Sequence, residues 1–158
     1  MIRLVPLSDQ ALKVWLRAMW LDYRNQLMDA GFTYEEASLN IEQNERAIFV
    51  DGVPNDDQRI FKVMDDEAKM GSLWLGSREV RNAGEWYVYD IVIDEEFRGS
   101  GFGRSTMRAA EAHVKSQGGT RLALNVFGPN AVARSLYESL DYKTMTIGMR
   151  KDLIGVES

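Results

Sequence analysis

The sequence predicts one α/β (α+β) domain that spans residues 1–158 and has the element order β-α-α-β-β-β-α-β-α-β. Three observations lead to this prediction. Apolar residues of the N-terminal third recur at helical spacing, whereas those of the middle third alternate as they do in strands. A glycine-rich segment, residues 98–103, separates a strand-like run from a helix-like run. The sequence shows no internal repeat, linker or second domain.

The first strand and the first two helices are predicted from alternation and from helix caps. Residues 2–7 alternate, and Ser8 is suited to cap the first helix. The apolar stripe of that helix consists of Leu12, Trp15, Leu16, Met19, Tyr23 and Leu27. Thr33 and Glu36 have the spacing of a capping box, which opens a second helix that runs to about Arg46.

Three strands are predicted in the middle of the chain. Residues 51–57 form a loop rich in Asp, Asn, Gly and Pro. Strands follow at residues 59–65 and 69–75, joined by an acidic turn. A second polar turn, residues 78–84, precedes the long strand of residues 85–93.

The C-terminal third is predicted to contain two helices and two strands. The helix after the glycine-rich segment covers residues 104–117 and stops at two consecutive glycines. Apolar residues alternate over residues 122–126, which predicts a strand with one buried face. The next helix starts at Asn130, and its apolar face consists of Ala133, Leu136, Tyr137 and Leu140. Residues 143–150 are predicted to form the last strand.

Composition and charge limit the classes of function. The chain is 45% hydrophobic and 27% charged, which is typical of a globular protein. It has no cysteine, which excludes disulfides, thiolate nucleophiles and cysteine-bound zinc, and we expect no metal. The net charge of −5 argues against nucleic acid as a partner and favours cationic substrates such as amines. Acidic side chains that only maintain solubility would explain the charge equally well.

Targeting signals are not evident in the sequence. Apolar runs all fall short of the roughly 18 residues that a membrane span needs. The first strand begins directly after Met1, where a signal peptide would otherwise stand. We therefore expect a cytoplasmic protein with no membrane partner.

The glycine-rich segment, residues 98–103, has the properties of an anion site. Glycine has no Cβ, so its backbone N–H groups can approach a ligand closely. The helix that begins there adds unpaired N–H donors and the positive end of its dipole. Strand, glycine segment and helix together suit a phosphate or a pyrophosphate.

The spacing of the glycines selects among the known phosphate loops. A dinucleotide fingerprint needs glycine at position 104, where this chain has Arg104, and Arg104-Ser105 does not supply the end of a Walker A loop. The segment Arg98-Gly99-Ser100-Gly101-Phe102-Gly103 fits R/Q-x-x-G-x-G/A instead. In this it resembles the GCN5-related N-acetyltransferase (GNAT) superfamily, whose loop for the pyrophosphate of acetyl-CoA has that form.

A second signature lies further along the chain. Residues 130–142 resemble the family pattern N-x-x-A-x-x-L-Y-x-x-x-G-F, in register at Asn130, Ala133, Leu136 and Tyr137. Asp141 stands where the pattern has glycine, and Tyr142 stands where it has Phe. We expect the first exchange to be tolerated, because Asp adopts the left-handed conformation that ends a helix more readily than most residues.

The resemblance implies a GNAT fold, with a single mixed, mostly antiparallel sheet flanked by about four helices, and acetyl-CoA as co-substrate. It implies that main-chain N–H groups of the glycine-rich segment hold the pyrophosphate. It also implies that the preceding strand pairs with the pantetheine arm, as if the arm were an added strand. Asn130 is expected to cap its helix and to contact the cofactor. The cofactor-binding residues expected on this basis are Ile91, Val92, Ile93, Arg98, Gly99, Ser100, Gly101, Phe102, Gly103, Arg104 and Asn130.

The resemblance also implies catalytic groups. Tyr137 stands where the family places a tyrosine near the cofactor sulfur, and a phenol of pKa about 10 can protonate a leaving thiolate. Periodicity alone would make Tyr137 a core residue. Glu85 and Asp90 are the candidates for the general base: Glu85 matches a glutamate of histone-type relatives, and burial would raise the pKa of Asp90. Strict alternation puts the two on opposite faces unless a bulge intervenes, and a structural role remains open for each.

Other positions are weaker candidates. Asn125 stands where some family members have a glutamate, and it cannot take a proton. His113, the only histidine, fits the surface or boundary of its helix better than it fits a general base. The N-terminal helices carry aromatic side chains that could belong to the core or contact a substrate, namely Trp15, Trp20, Tyr23, Phe32 and Tyr34.

Taken together, these observations predict an acetyl-CoA-dependent N-acetyltransferase. Transfer is expected to be direct, in a ternary complex, because the chain has no cysteine to form an acetyl-enzyme. The expected acceptor is a primary amine of a small molecule or a peptide, and family members often form homodimers. The alternatives are a non-catalytic acyl-CoA-binding module that senses the cofactor and a mononucleotide-binding protein.

Overall fold

The computed structural model describes residues 1–50, 53–78 and 82–155. Its strands are β1 (Ile2–Pro6), β2 (Phe49–Val50), β3 (Val53–Pro54), β4 (Gln58–Asp65), β5 (Ala68–Ser77), β6 (Glu85–Ile93) and β7 (Arg121–Leu124). Its helices are α1 (Asp9–Asp29), α2 (Tyr34–Ile48), α3 (Phe102–Ser116) and α4 (Ala131–Ser139), and a 3-10 turn covers Glu95–Phe97.

Five of the strands form one mixed sheet in the order β1-β4-β5-β6-β7. Neighbouring strands are antiparallel except β6 and β7, which are parallel and are connected through α3. Parallel neighbours need a long crossover connection, which is usually a helix, because a tight turn can join only antiparallel strands. A small hairpin of β2 and β3 lies apart from the sheet. The predicted mixed, mostly antiparallel sheet with four helices is confirmed.

The helices begin where short-range signals in the sequence place them. Ser8 caps α1 by accepting a hydrogen bond of 3.3 Å from a first-turn amide. Thr33 and Glu36 form both hydrogen bonds of the predicted capping box, at 3.1 and 2.8 Å. Helix α3 begins at Phe102, two residues earlier than predicted, because Gly101 in a left-handed conformation acts as its N-cap.

Each face of the sheet has its own hydrophobic core. Side chains alternate along β5, so Leu73 and Leu75 point to one face and Trp74 points to the other. The leucine face packs against α3 and α4, and its most deeply buried apolar members are Val63, Leu73, Leu75, Met107 and Ala110. The Trp74 face packs against α1 and is largely aromatic. Helices therefore cover both faces of the sheet, and the candidate site lies at its β7 side.

Two predictions about elements need correction. Residues 143–150 form no strand; they are exposed and pair with no neighbouring strand of the described chain. A strand forms only where its backbone groups find partners, and these residues do not take up the free edge of β7. The loop predicted at residues 51–57 is shorter, since β3 occupies its middle, and residues 51–52 lie outside the described residues. So do residues 79–81 of the turn predicted at residues 78–84.

Candidate active site

A fork in the sheet separates β6 from β7. The two strands pair only between residues 85–88 of β6 and residues 121–124 of β7. Residues 90–93 of β6 continue to pair with β5 on one side, while β7 has already ended on the other. One edge of β6 is therefore open over this stretch. Ile91, Val92 and Ile93, which are expected to pair with a pantetheine arm, all lie in it.

A cleft of about 2300 Å³ opens from the fork. Its walls come from α1, β6, β7, α4 and the chain that follows α4, and they include Tyr23, Asp90, Ile91, Asn130 and Tyr137. The glycine-rich segment follows the end of β6 directly. The open edge of β6 thus leads from that segment into the cleft.

The glycine-rich segment has open space around its two left-handed glycines. Gly99 and Gly101 have φ of 76° and 85°, in the left-handed region that favours glycine. Beyond their chain neighbours, no described atom lies within 4 Å of a Cβ built at either position. Gly101 precedes α3 without any side-chain cap. The first-turn N–H groups of Phe102, Gly103 and Arg104 therefore lack intrahelical acceptors and are suited to an anion.

The two arginines of the segment bind the protein itself. The Arg98 Nε donates to the Ile93 carbonyl oxygen at 2.8 Å, and the Arg104 Nη2 donates to the Ser139 Oγ at 2.6 Å. These hydrogen bonds tie the segment to β6 on one side and to α4 on the other. Ser100, at the tip, is exposed.

Helix α4 has the ends that the second signature predicts. The Asn130 Oδ1 accepts a hydrogen bond of 3.2 Å from the Ala133 amide, which confirms the predicted cap. Asp141 has φ of 67° just after the helix, so the acidic residue adopts the left-handed conformation expected of the usual glycine. The departure from the family pattern therefore leaves the helix end intact.

Tyr137, on α4, is 9% exposed and joins the core on the leucine face of the sheet. Its ring meets the Tyr142 ring edge-on at 6.0 Å. Burial, and after it the charge of Asp90, raises the pKa of Tyr137 to about 12. Its hydroxyl has no hydrogen-bond partner among the described residues and remains available to a ligand.

A β-bulge sets the orientation of the β6 carboxylates. Trp74 of β5 pairs with Asp90, but the next residue, Leu75, pairs with Val88, so Tyr89 is an extra residue on β6. The extra residue reverses the alternation that follows it. Sequence reasoning named a bulge as the feature that would change the facing of these side chains, and the structure contains one.

Asp90 is the candidate base that the structure couples to Tyr137. Burial, and after it the charge of Asp22 on α1, raises the pKa of Asp90 to about 7. The predicted upward shift is therefore present. Asp90 and Tyr137 both line the cleft, and the charge of Asp90 is the second cause of the raised pKa of Tyr137.

Glu85 lies at the other end of β6. The bulge places it on the same face as Asp90, but four regular steps apart, which is about 13 Å at the rise of a strand. Its Oε2 accepts a hydrogen bond of 2.7 Å from the Asn82 Nδ2. Glu85 lines the cleft, but it lies at the opposite end of the strand from Ile93 and the glycine-rich segment.

Aromatic side chains form a wall between α1 and the sheet. Trp74 is its centre, 3% exposed, with its indole N–H donating to the Gln58 Oε1 at 2.6 Å. Ring contacts join it to Tyr89 at 4.7 Å, Phe49 at 5.5 Å, Trp15 at 5.8 Å and Trp20 at 6.3 Å. Trp74 was not among the candidates from sequence, although a large aromatic residue between two leucines of one strand was a usable signal.

The expected aromatic cluster of the N-terminal helices divides into two groups. Trp15 and Trp20 belong to the wall around Trp74, and Tyr23 extends it from Trp20 to Phe127, with rings 6.1 and 5.9 Å apart. Phe32 and Tyr34 lie elsewhere, each beneath an arginine near the α1–α2 turn.

Arg78 is a cation that sequence reasoning missed. Its guanidinium lies 3.5 Å from the centre of the Tyr87 ring and 5.4 Å from that of Tyr89. It lines the cleft beside these rings. Arg78 directly follows β5, whose last residue pairs with β6, and the local sequence carries no signal of the contact.

His113 lies away from the candidate base. It is half-buried on α3, edge-on to Phe61 at 5.1 Å and to Trp86 at 5.9 Å. Burial, and after it the charge of Arg59, lowers its pKa. These contacts put His113 on the leucine face of the sheet. Asp90 pairs with Trp74, which lies on the other face. The position of His113 agrees with the prediction that it lies at the surface or boundary of its helix.

Residues 1–50, 53–78 and 82–155 lack two kinds of feature. Clusters of three or more His, Cys, Asp or Glu side chains able to hold a metal ion do not occur there. Helices long and apolar enough to cross a bilayer do not occur there either.

Comparison with known proteins agrees with the two signatures. The sequence model of the acetyltransferase (GNAT) family matches residues 12–142. The chain is 28% identical to YdgE, an uncharacterized N-acetyltransferase of Bacillus subtilis, over 82% of this chain and 83% of YdgE. It is 25% identical to YycN, another uncharacterized N-acetyltransferase of B. subtilis, over 96% of this chain and 99% of YycN.

Solved structures share the fold. The crystal structure of YycN superposes with a TM-score of 0.89 and 24% identity, over 98% of this chain and all of that one. AAC(6')-Iy, in complex with the bisubstrate analogue CoA-S-monomethyl-acetylneamine, superposes with a TM-score of 0.57 and 15% identity, over 96% of this chain and 99% of that one. At these identities the likeness concerns the fold.

Proposed function

This chain belongs to the acetyltransferase (GNAT) family, and we propose that it moves the acetyl group of acetyl-CoA directly to a primary amine of a small molecule or a peptide. The observation that carries the proposal is the fork between β6 and β7. Its open strand edge runs from the uncapped amides of α3 into the cleft that holds Tyr137 and Asp90.

Acetyl-CoA would lie along this edge. Its diphosphate would accept hydrogen bonds from the amides of the first turn of α3, helped by the helix dipole. Its pantetheine arm carries amides and would pair with β6 as an added strand. The Ile93 carbonyl already accepts from Arg98, so the pairing would use backbone groups of Ile91 and Val92. Asn130, the N-cap of α4, would contact the cofactor from the opposite wall of the cleft.

Asp90 would deprotonate the acceptor. A lysine-like amine of pKa about 10.4 is only about 0.1% neutral at pH 7.4, and deprotonating it costs about 4 kcal/mol. A carboxyl whose pKa is about 7 is roughly half ionised at neutral pH and holds a proton far better than an exposed aspartate. Glu85 lies too far along β6 to share this task with a thioester held beside Tyr137.

Tyr137 would protonate the leaving sulfur. The neutral amine attacks the thioester carbon, the C–N bond forms and the C–S bond breaks. The thiolate takes the phenolic proton, the nitrogen returns one to the phenolate, and Asp90 releases its own to solvent. With a pKa of about 12, Tyr137 stays protonated at neutral pH. Transfer of the phenolic proton to the thiolate of a thiol with pKa about 8.5 is uphill in water. Burial narrows the difference between the two pKa values, because it raises the pKa of the thiol as well.

The walls of the cleft support a cationic, partly apolar acceptor. Trp20, Tyr23 and Tyr89 line it and offer ring faces to an alkyl chain or an ammonium group. Asp90 lies on the same cleft, and Asp22 adds negative charge from α1. AAC(6')-Iy, which shares this fold, binds an analogue that contains CoA, which supports the choice of co-substrate.

Replacement of Tyr137 by Phe tests the proposal. We expect kcat to fall by about 10²- to 10⁴-fold, the usual contribution of a general acid, with little change in the Kd of acetyl-CoA. Thiol release from acetyl-CoA with a library of amines measures the first, and calorimetry the second. Tyr142→Phe is the matched control, because it removes the hydroxyl of the adjacent ring, which donates to Glu111 at 3.0 Å.

The same variant and assays, together with a thermal-shift assay, distinguish the alternative functions. A cofactor sensor would bind acetyl-CoA tightly and release no thiol with any amine, and Tyr137→Phe would then change nothing. A mononucleotide-binding protein would be stabilised by ATP in a thermal-shift assay but not by acetyl-CoA. Either result would refute the transferase proposal.

A further inference from the structure

The proposed reaction assigns no role to Arg78, although its side chain lies on the wall of the cleft. Both of its backbone groups are held. Its amide donates to the Glu85 carbonyl at 2.8 Å, and its own carbonyl accepts from the Asn82 amide at 2.9 Å. From there the side chain runs along β6 towards the open half, since its guanidinium lies against the rings of Tyr87 and Tyr89. Arg78 is therefore a half-buried positive charge in a defined place.

The charge of Arg78 has no anionic partner in the described chain. It forms no ion pair with a described carboxylate. Glu85, its backbone partner, accepts a hydrogen bond from the Asn82 side chain at 2.7 Å instead. The Arg78 Nε is buried and has no hydrogen-bond partner among the described residues. Ring faces attract a cation, but they do not supply the oxygen acceptors that pair with a guanidinium fork, as a carboxylate does.

The ring beneath this guanidinium lies on the same face of the sheet as the candidate base. Tyr87 pairs with Gly76, and Asp90 pairs with Trp74. Gly76 and Trp74 are two residues apart on β5, so Tyr87 and Asp90 point to the same side, about 7 Å apart at the rise of a strand. The Tyr89 ring contacts those of Tyr87 at 4.9 Å and Trp74 at 4.7 Å. It thus provides an apolar surface between the cation and the base.

The position of the Tyr89 ring depends on a glycine. A Cβ at Gly76 would come within 2.5 Å of this ring, so the absence of a side chain there leaves the ring its space. The stacked contact with Trp74, which is buried, holds the ring from the other side. The surface between Arg78 and Asp90 is therefore fixed by packing.

The cofactor would approach Asp90 from the opposite direction. In the proposed complex, acetyl-CoA lies between the glycine-rich segment and the backbone of Ile91 and Val92, which follow Asp90 in β6. Arg78 lies over Tyr87, which precedes Asp90 in the same strand. The space between Asp90 and Arg78 is therefore left to the acceptor.

We infer that Arg78 binds a carboxylate of the acceptor, and that the protein favours amines whose carboxylate lies about 7 Å from the nitrogen. The inference rests on the proposed function, because it takes the acceptor amine to be held at Asp90. The amine end of such a zwitterion meets the negative charges of Asp90 and Asp22, and its other end pairs with the guanidinium. A dipeptide has the required length, since two extended residues span about 7 Å, whereas the nitrogen and the carboxyl carbon of a free α-amino acid are about 2.5 Å apart.

Matched pairs of amines test the contact. Each pair consists of an acid and its amide: glycylglycine with glycylglycinamide, and glycine with glycinamide. Thiol release from acetyl-CoA gives kcat/KM for both compounds, and the ratio of acid to amide is the preference for the carboxylate. Arg78→Met keeps an unbranched side chain against the rings and removes the charge. We expect it to lower the preference by about 10- to 100-fold for the dipeptide pair, the usual contribution of a hydrogen bond to a charged group, and to leave that of the glycine pair nearly unchanged.

The preference is a ratio measured within one protein. A loss of folded enzyme, or a difference in amine pKa between acid and amide, therefore cancels when the variant is compared with the parent. Arg121→Gln is the matched control, because it removes another arginine that lines the cleft, at the start of β7. We expect this control to keep the preference of the parent.

Three results would overturn the inference. If Arg78 only held Tyr87 in place, Arg78→Met would change kcat/KM for acid and amide equally and leave the preference unaltered. An equal fall in Arg121→Gln would assign the preference to the overall charge of the cleft. An equal fall for the glycine pair would contradict the spacing between Arg78 and Asp90.

Calorimetry distinguishes failure of this inference from failure of the proposed function. Absence of thiol release with every amine would refute the transferase proposal, but binding of glycylglycine and glycylglycinamide in the presence of coenzyme A requires no turnover. We expect the parent protein to bind the acid at least about tenfold more tightly than the amide, and Arg78→Met to bind both alike. Equal affinities in the parent would overturn the inference, whether or not the protein transfers acetyl groups.

Discussion

The two halves of strand β6 differ in their pairing and in their burial. Residues 86–88 pair on both sides, and Trp86, Tyr87 and Val88 are buried at 8%, 7% and 4% exposure. Residues 89–93 are half-buried; residues 90–93 pair on one side only, and Tyr89 is the unpaired bulge residue. The first half belongs to the core, while the second carries Asp90 and the edge that leads to the glycine-rich segment.

The difference teaches that the partner strand, rather than β6 itself, decides which half keeps an open edge. Both halves are equally apolar and rich in β-branched and aromatic residues. Strand β7 ends at Leu124, and the chain then turns through Gly128 and Pro129 into α4. The bulge at Tyr89 falls at the step where the pairing with β7 ends, so the sheet opens and the side chains are redirected at the same place.

Asp90→Asn, in the half of β6 with the open edge, should have the largest effect on activity. We expect kcat/KM to fall by about 10²- to 10⁴-fold, because the acceptor loses its base. In the parent protein, kcat/KM should rise about tenfold per pH unit below the Asp90 pKa of about 7 and level off above it. The variant should lose this limb of the pH profile. A limb that persists in Asp90→Asn would assign the base to another group.

The same substitution has a stability consequence of known sign. The folded carboxyl keeps its proton up to about pH 7, whereas an unfolded aspartate releases it near pH 4. The free energy of unfolding should therefore fall between about pH 4 and pH 7 and stay constant above, by at most about 4 kcal/mol from this group. Asp90→Asn removes this dependence. Urea titrations at pH 5 and pH 8 measure the difference.

Leu75→Ala and Leu73→Ala on β5 compare the two halves of β6, because each leucine pairs with a residue of a different half. Both leucines are fully buried on the same face, but Leu75 pairs with Val88 and Leu73 pairs with Ile91. We expect each substitution to lower the free energy of unfolding by about 2–5 kcal/mol. Only Leu73→Ala should weaken acetyl-CoA binding, by about tenfold, or 1.4 kcal/mol. Equal Kd values for the two variants would contradict a functional division of β6.

Gly101→Ala and Gly118→Ala compare the two ends of α3 and should give the smallest effects. Both glycines have positive φ, 85° and 80°, and both have open space where a Cβ would stand. Each substitution should cost about 1–2 kcal/mol of stability, because alanine is strained in the left-handed region. Only Gly101→Ala should also raise the Kd of acetyl-CoA, since only Gly101 orients amides of the anion site. An unchanged Kd would place the diphosphate elsewhere.

Local signals in the sequence predicted the features that depend on neighbours in the chain. The cap at Ser8, the capping box of Thr33 and Glu36, the cap at Asn130 and the left-handed Asp141 were all predicted correctly, because each involves atoms a few residues apart. The prediction failed for the last strand. Alternation at residues 143–150 indicates a strand, but a strand also needs a partner, and partners are not local.

The sequence alone determined the family, the two signature segments and the element order as far as α4 except for the small hairpin of β2 and β3, because glycine conformations, helix caps and side-chain periodicity act over a few residues. Tertiary structure alone decided that β7 stops short of Asp90, that Tyr89 forms a bulge and that Arg78 lies over Tyr87. It also decided that Trp74 unites the aromatic wall. These features depend on which distant segments meet, and contacts across the fold follow from packing rather than from spacing along the chain.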